Sequence, residues 1–229
     1  MKKIYTCILL FALSASIFAQ NRPYIDDKLV HFGFSLGINM MDFATPASLD
    51  TIDGEIWHAR QSSLIPGFSV GFITDVRISR HLNLRVTPTL DFGVHTISYK
   101  TESRNGGTKK TDVLAMPITL PILLKWSAER EVNYRPYLVG GGGISYDFAL
   151  DKKSPILQRP LDFFVEVGVG CDFYFEWFKL CPQLTFRMGF MDVLTPIEQR
   201  TGLEPDKFFY TNALDRLLNR QLTLTFNFE

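Results

Sequence analysis

The chain is expected to be all-β: an eight-stranded antiparallel up-and-down transmembrane β-barrel with short periplasmic turns and long external loops. Three observations predict it. Hydropathy alternates with period two in eight separate windows. The connections between those windows alternate between short and long. The chain also holds 20 Phe in 229 residues and is 14% aromatic, a ring content that suits a lipid-facing surface. Past the N-terminus no segment resembles a transmembrane helix, so any insertion must be by strands.

Residues 1–19 read as a secretory signal peptide. Lys2 and Lys3 form the positive n-region, Ile4 to Phe18 are apolar or small, and polarity begins at Gln20-Asn21-Arg22 after Ala19. The stretch is short for a spanning helix, which needs about 20 apolar residues; an uncleaved anchor is the other reading. Cys7 lies within the apolar run rather than at its end, against a lipoprotein leader. Residues 20–229 then form one barrel domain in the cell outer membrane. Basic and acidic residues balance at 24 each, and no basic excess points to nucleic acid. Once the leader is removed Cys171 and Cys181 remain, an even pair that invites a disulfide in an exported protein. Strand parity puts the two on opposite faces, which argues against the bridge.

In the first window Phe32, Phe34, Leu36, Ile38 and Met40 alternate with Gly33, Ser35, Gly37 and Asn39. The second sets Phe68, Val70, Phe72, Val76 and Ile78 against Gly67, Ser69, Gly71, Asp75 and Arg77. The third runs Leu82, Leu84, Val86, Pro88, Leu90, Phe92 and Val94 against Asn83, Arg85, Thr87, Thr89, Asp91, Gly93 and His95. The fourth has Leu114, Met116, Ile118, Leu120, Ile122, Leu124 and Trp126 on one face, with Pro117, Thr119, Pro121 and Lys125 on the other. The fifth, from Arg135 to Phe148, is interrupted by Gly140 to Gly143 but keeps Leu138, Ile144, Tyr146 and Phe148 in one parity. The sixth opposes Phe163, Val165, Val167, Val169, Phe173 and Phe175 to Asp162, Glu166, Gly168, Gly170 and Asp172. The seventh opposes Leu180, Leu184, Phe186, Met188 and Phe190 to Gln183, Thr185, Arg187 and Gly189. In the eighth Leu222, Leu224, Phe226 and Phe228 alternate with Gln221, Thr223, Thr225 and Asn227.

A soluble sandwich alternates too, so the composition of the polar face matters more. Asp75, Arg77, Arg85, Asp91, Lys125, Glu166 and Arg187 sit mid-strand among Gly, Ser and Thr. That mixture fits a narrow lumen that side chains must fill without colliding. These seven residues are the expected structural charge network of the barrel interior. The three-residue turn between the second and third windows registers Asp75 opposite Arg85, and Glu166 and Arg187 fall as diagonal neighbours. Paired in this way, the charges satisfy one another where few waters fit.

The expected connections are long at 44–64, 101–112, 149–160 and 191–219, and short at 79–81, 127–134 and 176–179. With a periplasmic N-terminus all the short ones fall on the periplasmic side. Trp126, Tyr134, Trp177 and Phe178 cluster near the short turns. Tyr99, Tyr146, Phe148, Phe190, Phe208, Phe209 and Tyr210 lie toward the long loops, as two interfacial girdles require. A short capped helix is expected from Asn212 to Leu218.

Catalytic chemistry has little support. His31, His58, His81 and His95 are scattered, with no G-x-S-x-G or H-E-x-x-H pattern. His95 points inward near the outer end of its strand, where a Ser/His/acid site is conceivable. No His/Cys cluster has metal-ligand spacing, so neither metal nor cofactor is expected, and no small-molecule substrate is evident. Gly140 to Gly143 follow Arg135-Pro136-Tyr137 in a strand and mark a bend or a close contact rather than a phosphate loop.

Several segments together resemble the PorT family of small outer-membrane barrels from Bacteroidota. They are Asp26-Asp27-Lys28-Leu29-Val30-His31-Phe32-Gly33-Phe34, Leu120-Pro121-Ile122-Leu123-Leu124-Lys125-Trp126, Tyr134-Arg135-Pro136-Tyr137-Leu138-Val139-Gly140-Gly141, Glu166-Val167-Gly168-Val169-Gly170-Cys171-Asp172-Phe173-Tyr174 and Phe178-Lys179-Leu180-Cys181-Pro182. The resemblance implies a non-enzymatic accessory barrel of a type IX secretion and gliding apparatus. Its expected partners are outer-membrane lipid and other secretion proteins, and the family has no catalytic residues to carry over. The alternatives are a structural or adhesive barrel whose long loops bind a surface ligand, and a lipid-modifying outer-membrane enzyme.

Overall fold

The computed structural model describes residues 28–44, 51–52, 55–61, 65–101, 108–149, 158–195 and 216–229. The expected signal peptide, and residues 212–215 of the expected helix, lie outside the described residues. Leu218, where that helix was to end, begins a strand.

The described strands are β1 (Val30–Ala44), β2 (Thr51–Ile52), β3 (Glu55–Gln61), β4 (Pro66–Arg77), β5 (Leu82–Val86), β6 (Thr89–Thr101), β7 (Thr108–Ala115), β8 (Pro117–Ser127), β9 (Tyr134–Asp147), β10 (Leu161–Tyr174), β11 (Lys179–Gly189) and β12 (Leu218–Phe228). Every pairing is antiparallel. β1 bonds to β12 on one side and to β4 on the other, from Phe34↔Phe228 and from Val30↔Val76. The sheet therefore closes on itself as an eight-stranded barrel, which leaves no unpaired edge within the lipid. In order round the cylinder the staves are β1, β3/β4, β5/β6, β7/β8, β9, β10, β11 and β12. The break between β5 and β6 falls at Pro88, which lacks an N–H. Its carbonyl still accepts from Phe72 N at 3.0 Å, so the stave stays in register.

Parity sorts the chain into two environments. β8 alternates buried and exposed residues along its whole length, with Ile118, Leu120, Ile122, Leu124 and Trp126 outward. Phe32, Phe34, Phe68, Phe72, Phe163 and Phe186 are likewise exposed on the outside. An apolar surface of this extent has no place in water and marks a lipid-facing band. The inward set is polar: Ser35, Asn39, Ser69, Asp75, Arg85, Thr119, Lys125 and Glu166 are all buried.

The glycines do two different jobs. A Cβ on Gly143 would stand 2.7 Å from the Phe164 ring, and one on Gly170 would collide with the ring of Tyr137. Both glycines make room for an aromatic inside a narrow cylinder. A Cβ on outward-facing Gly140 would meet nothing within 4 Å, whereas one on Gly142 would stand 2.9 Å from the Phe164 carbonyl oxygen, so within the four-glycine run only Gly140 is free of a close-packing requirement.

The short turns fall where expected. The long ones need correction. β6 runs on to Thr101 and pairs with β7 from Gly93↔Ala115 to Lys100↔Thr108, so every described residue of the expected loop 101–112 is strand. Loop 44–64 contains β2 and β3, and β3 pairs with β6 from Gln61↔Ile97 to Trp57↔Thr101. Residues 108–112 are all polar, so the hydropathy alternation that reveals the other strands is absent there.

Candidate functional site

Among the described residues the lumen is where the fold gathers its buried charged groups, and it holds them in two layers. The inner layer starts from the β4–β5 hairpin, whose register sets Asp75 opposite Arg85. Arg85 Nε and Nη2 donate to Asp75 Oδ2 at 3.0 and 2.7 Å. Arg85 Nη1 donates to Gln183 Oε1 at 3.1 Å, and Nη2 also reaches the Glu229 carboxylate just past β12. Lys125 of β8 donates to both oxygens of Asp172 on β10, at 3.0 and 2.7 Å, and lies 4.0 Å from Asp75. Lys179 of β11 pairs with Glu229 and lies 4.0 Å from Asp172. Arg85, Lys125 and Lys179 thus face Asp75, Asp172 and Glu229, three charges against three. The Tyr137 ring caps this layer. Its hydroxyl donates to Gln183 at 3.0 Å and its face lies 4.2 Å from Lys125 Nζ.

The outer layer is built on Arg187. Its Nε donates to Glu166 Oε2 at 2.9 Å, and its Nη1 to Asp91 at 3.1 Å and to Gln221 at 3.2 Å. The guanidinium lies over the Phe164 ring at 4.4 Å. Glu166 and Arg187 are direct register partners, not the diagonal neighbours expected, because β10 and β11 pair one residue closer than the turn suggested. Between the layers lie short polar side chains. Asn39 donates to Ser69 Oγ at 2.8 Å, and Thr89 bonds Thr119 at 3.1 Å.

Space inside is slight. One cavity of about 40 Å³ lies in the outer half, lined by His95, Asp147, Asp162 and Arg187, and another of about 30 Å³ lies between the layers. Each holds only a few waters. The outer mouth is crossed by backbone. Arg159 N donates to Val193 O at 2.7 Å, Val193 N to Leu217 O at 3.0 Å, and Asp192 Oδ1 accepts from both Leu194 N and Leu217 N. Val193 and Leu217 are fully buried beneath this crossing.

The structure brings Asp75, Arg85, Asp91, Lys125, Glu166 and Arg187 together in the lumen. Arg77, the last residue of β4, is half-buried and stands opposite Asn83 in the register. Asp172, Lys179, Glu229, Tyr137 and Gln183 were not among the expected network. Asp172, Tyr137 and Gln183 share the inward parity of their windows and were findable by it. Lys179 looked like a turn residue, and Glu229 follows the last alternating pair.

His95 is buried, stacked on Phe43 with ring centroids 3.8 Å apart, and its Nδ1 has no hydrogen-bond partner among the described residues. Among the described residues no three His, Cys, Asp or Glu side chains group to hold a metal ion. Cys171 and Cys181 are free thiols, with Cys181 buried inward and Cys171 on the opposite face.

The outer membrane protein beta-barrel domain family matches the chain over residues 18–195. Among solved structures the chain is similar to Neisserial surface protein A, at 10% identity and a TM-score of 0.42, over 87% of this chain and 98% of that one. No curated protein matches it.

Proposed function

We propose that this chain, which belongs to the outer membrane protein beta-barrel domain family, serves as a non-enzymatic accessory barrel of a type IX-like protein secretion apparatus and acts through protein–protein contacts. The observation that carries this reading is the filled lumen. A solute crossing the barrel must separate Arg85, Lys125 and Lys179 from their carboxylates, and breaking a single buried pair costs roughly 3–5 kcal/mol. A barrel closed in this way offers partners its turns, loops and lipid-facing wall rather than a conduit.

The PorT resemblance supports the same reading from another direction. Four of its five segments lie on β8, β9, β10 and β11, which are consecutive staves. They supply Lys125, Tyr137, Asp172 and Lys179 to the inner layer. These four segments thus form one contiguous sector of the wall and the lumen packing behind it.

The test is deletion of the gene followed by measurement of cargo protein in the medium and in the periplasm. Cargo retained in the periplasm, and released again on re-expression, is the expected result; undiminished secretion overturns the proposal. A second reading, a barrel that binds a surface ligand, is favoured by the continuation of β3, β6 and β7 beyond the lipid band. Loss of surface adhesion with intact secretion, on shortening residues 97–113, would select it.

A further inference from the structure

We propose that the cavity in the outer half of the lumen is a binding site for a hard divalent cation of the calcium class, held between Asp147 and Asp162. Charge points to it. The inner layer sets three cations against three anions, but the outer half is not balanced in this way. Asp91, Glu166 and Asp162 are all buried there, and among the described residues Arg187 is the guanidinium that meets them. Three carboxylates against one guanidinium leave an excess of two negative charges, which is costly away from water. Asp147 adds a half-buried carboxylate at the cavity wall, bonded to the backbone N–H groups of Met116 and Ala149 at 3.0 and 2.9 Å. The other cations at the wall do not supply the balance. Arg159 and Arg220 are exposed, and Arg220 stands opposite Asp42 in the register.

The strands bring the two carboxylates together. Asp162 lies opposite Ser145, and Asp147 is two residues beyond Ser145 on the same inward parity, so the aspartates are diagonal neighbours. Diagonal positions lie about 7–8 Å apart, a span across which two short side chains can share an ion. Gly189, also in the wall, leaves room for this arrangement, since a Cβ there would collide with the Asp162 carboxylate. Ser145, Gln158 and Asn219 add neutral oxygens around the cavity. Among the described residues no three His, Cys, Asp or Glu side chains come together as a transition metal would need. The set suits calcium instead, which accepts carboxylate, amide, hydroxyl and water oxygens. His95 points to the same occupant independently. It lines this cavity, is 6% exposed, and its Nδ1 has no hydrogen-bond partner among the described residues. With its proton on Nε2 the ring presents Nδ1 as a buried acceptor, and a cation-bound water is the donor it lacks. About 40 Å³ of space admits an ion with one or two of its waters.

The test uses the full-length protein in neutral detergent, stripped with a chelator and titrated with calcium chloride by isothermal titration calorimetry. A single saturable site with a Kd on the order of 0.1–1 mM is expected, the range of calcium sites with few carboxylates. Asp147→Asn and Asp162→Asn should each weaken binding by about tenfold or more. His95→Phe keeps a ring to stack on Phe43 but removes the acceptor for the bound water, and should cost about tenfold. Glu129→Gln, in an exposed turn at the other end of the barrel, should leave binding unchanged. Calcium should also raise the urea midpoint of the wild-type protein, and excess chelator should reverse the rise; this reading does not depend on any variant folding. No saturable binding to the wild-type protein up to about 10 mM, tenfold above the expected range, overturns the proposal. So does full affinity in a folded Asp147→Asn/Asp162→Asn double variant, or an equal loss from Glu129→Gln, which would mean diffuse attraction to surface charge.

Discussion

Arg85→Met is the sharpest perturbation of the lumen. Arg85 is 1% exposed and makes four hydrogen bonds, two to Asp75 and one each to Gln183 and Glu229. Methionine keeps much of the volume and removes the charge, leaving Lys125 and Lys179 to face three carboxylates. Asp75 then retains Asn83 at 2.7 Å and a lysine at 4.0 Å, which is too little to compensate it. Removing one partner of a buried pair costs about 3–5 kcal/mol, and the variant should lose stability in that range. Adding Asp75→Asn restores two cations against two anions. The double variant should therefore be more stable than Arg85→Met alone, with a coupling energy of roughly 1–3 kcal/mol. Urea unfolding in lipid vesicles, followed by the fluorescence of Trp126 and Trp177, measures all four corners of the cycle. An unchanged midpoint for Arg85→Met, or strictly additive single effects, would refute the reasoning.

Four further substitutions separate the environments of the barrel, each read by the same unfolding assay. Gly170→Val drives a side chain into the Tyr137 ring and should destabilise by about 1–3 kcal/mol, whereas Gly140→Val, facing open space outward, should be neutral or stabilising. Val132 holds φ at 48° in the two-residue turn between Glu131 and Tyr134, a left-handed conformation unfavourable to a β-branched residue. Val132→Gly should stabilise by about 1 kcal/mol, and a loss of stability would show that the side chain contributes more than its backbone strain. Ile122→Arg, midway along the outward face of β8, should destabilise by about 2–4 kcal/mol in a bilayer; no effect there would mean this face does not meet lipid.

Legibility in the sequence followed the physical environment. β8 reads directly because lipid lies on one side and a polar lumen on the other, so Ile118 to Trp126 and Thr119 to Lys125 separate residue by residue. β7 does not, because Lys109, Lys110, Thr111 and Asp112 are all polar and carry no parity signal; only the register with β6 reveals the strand. Asp75 and Arg85 could be paired because a three-residue turn leaves one register open. Lys179 could not be assigned, since its role depends on a carboxylate fifty residues further along that arrives only when β12 docks beside β11.

Current across a planar bilayer containing the purified barrel tests most directly the claim that the lumen is filled. With both charge layers intact the bilayer should remain silent, with no discrete openings at moderate voltage. Regular, stable conductance steps from the unmodified protein would mean that ions pass Arg85 and Arg187, and would contradict a function carried by its surfaces alone.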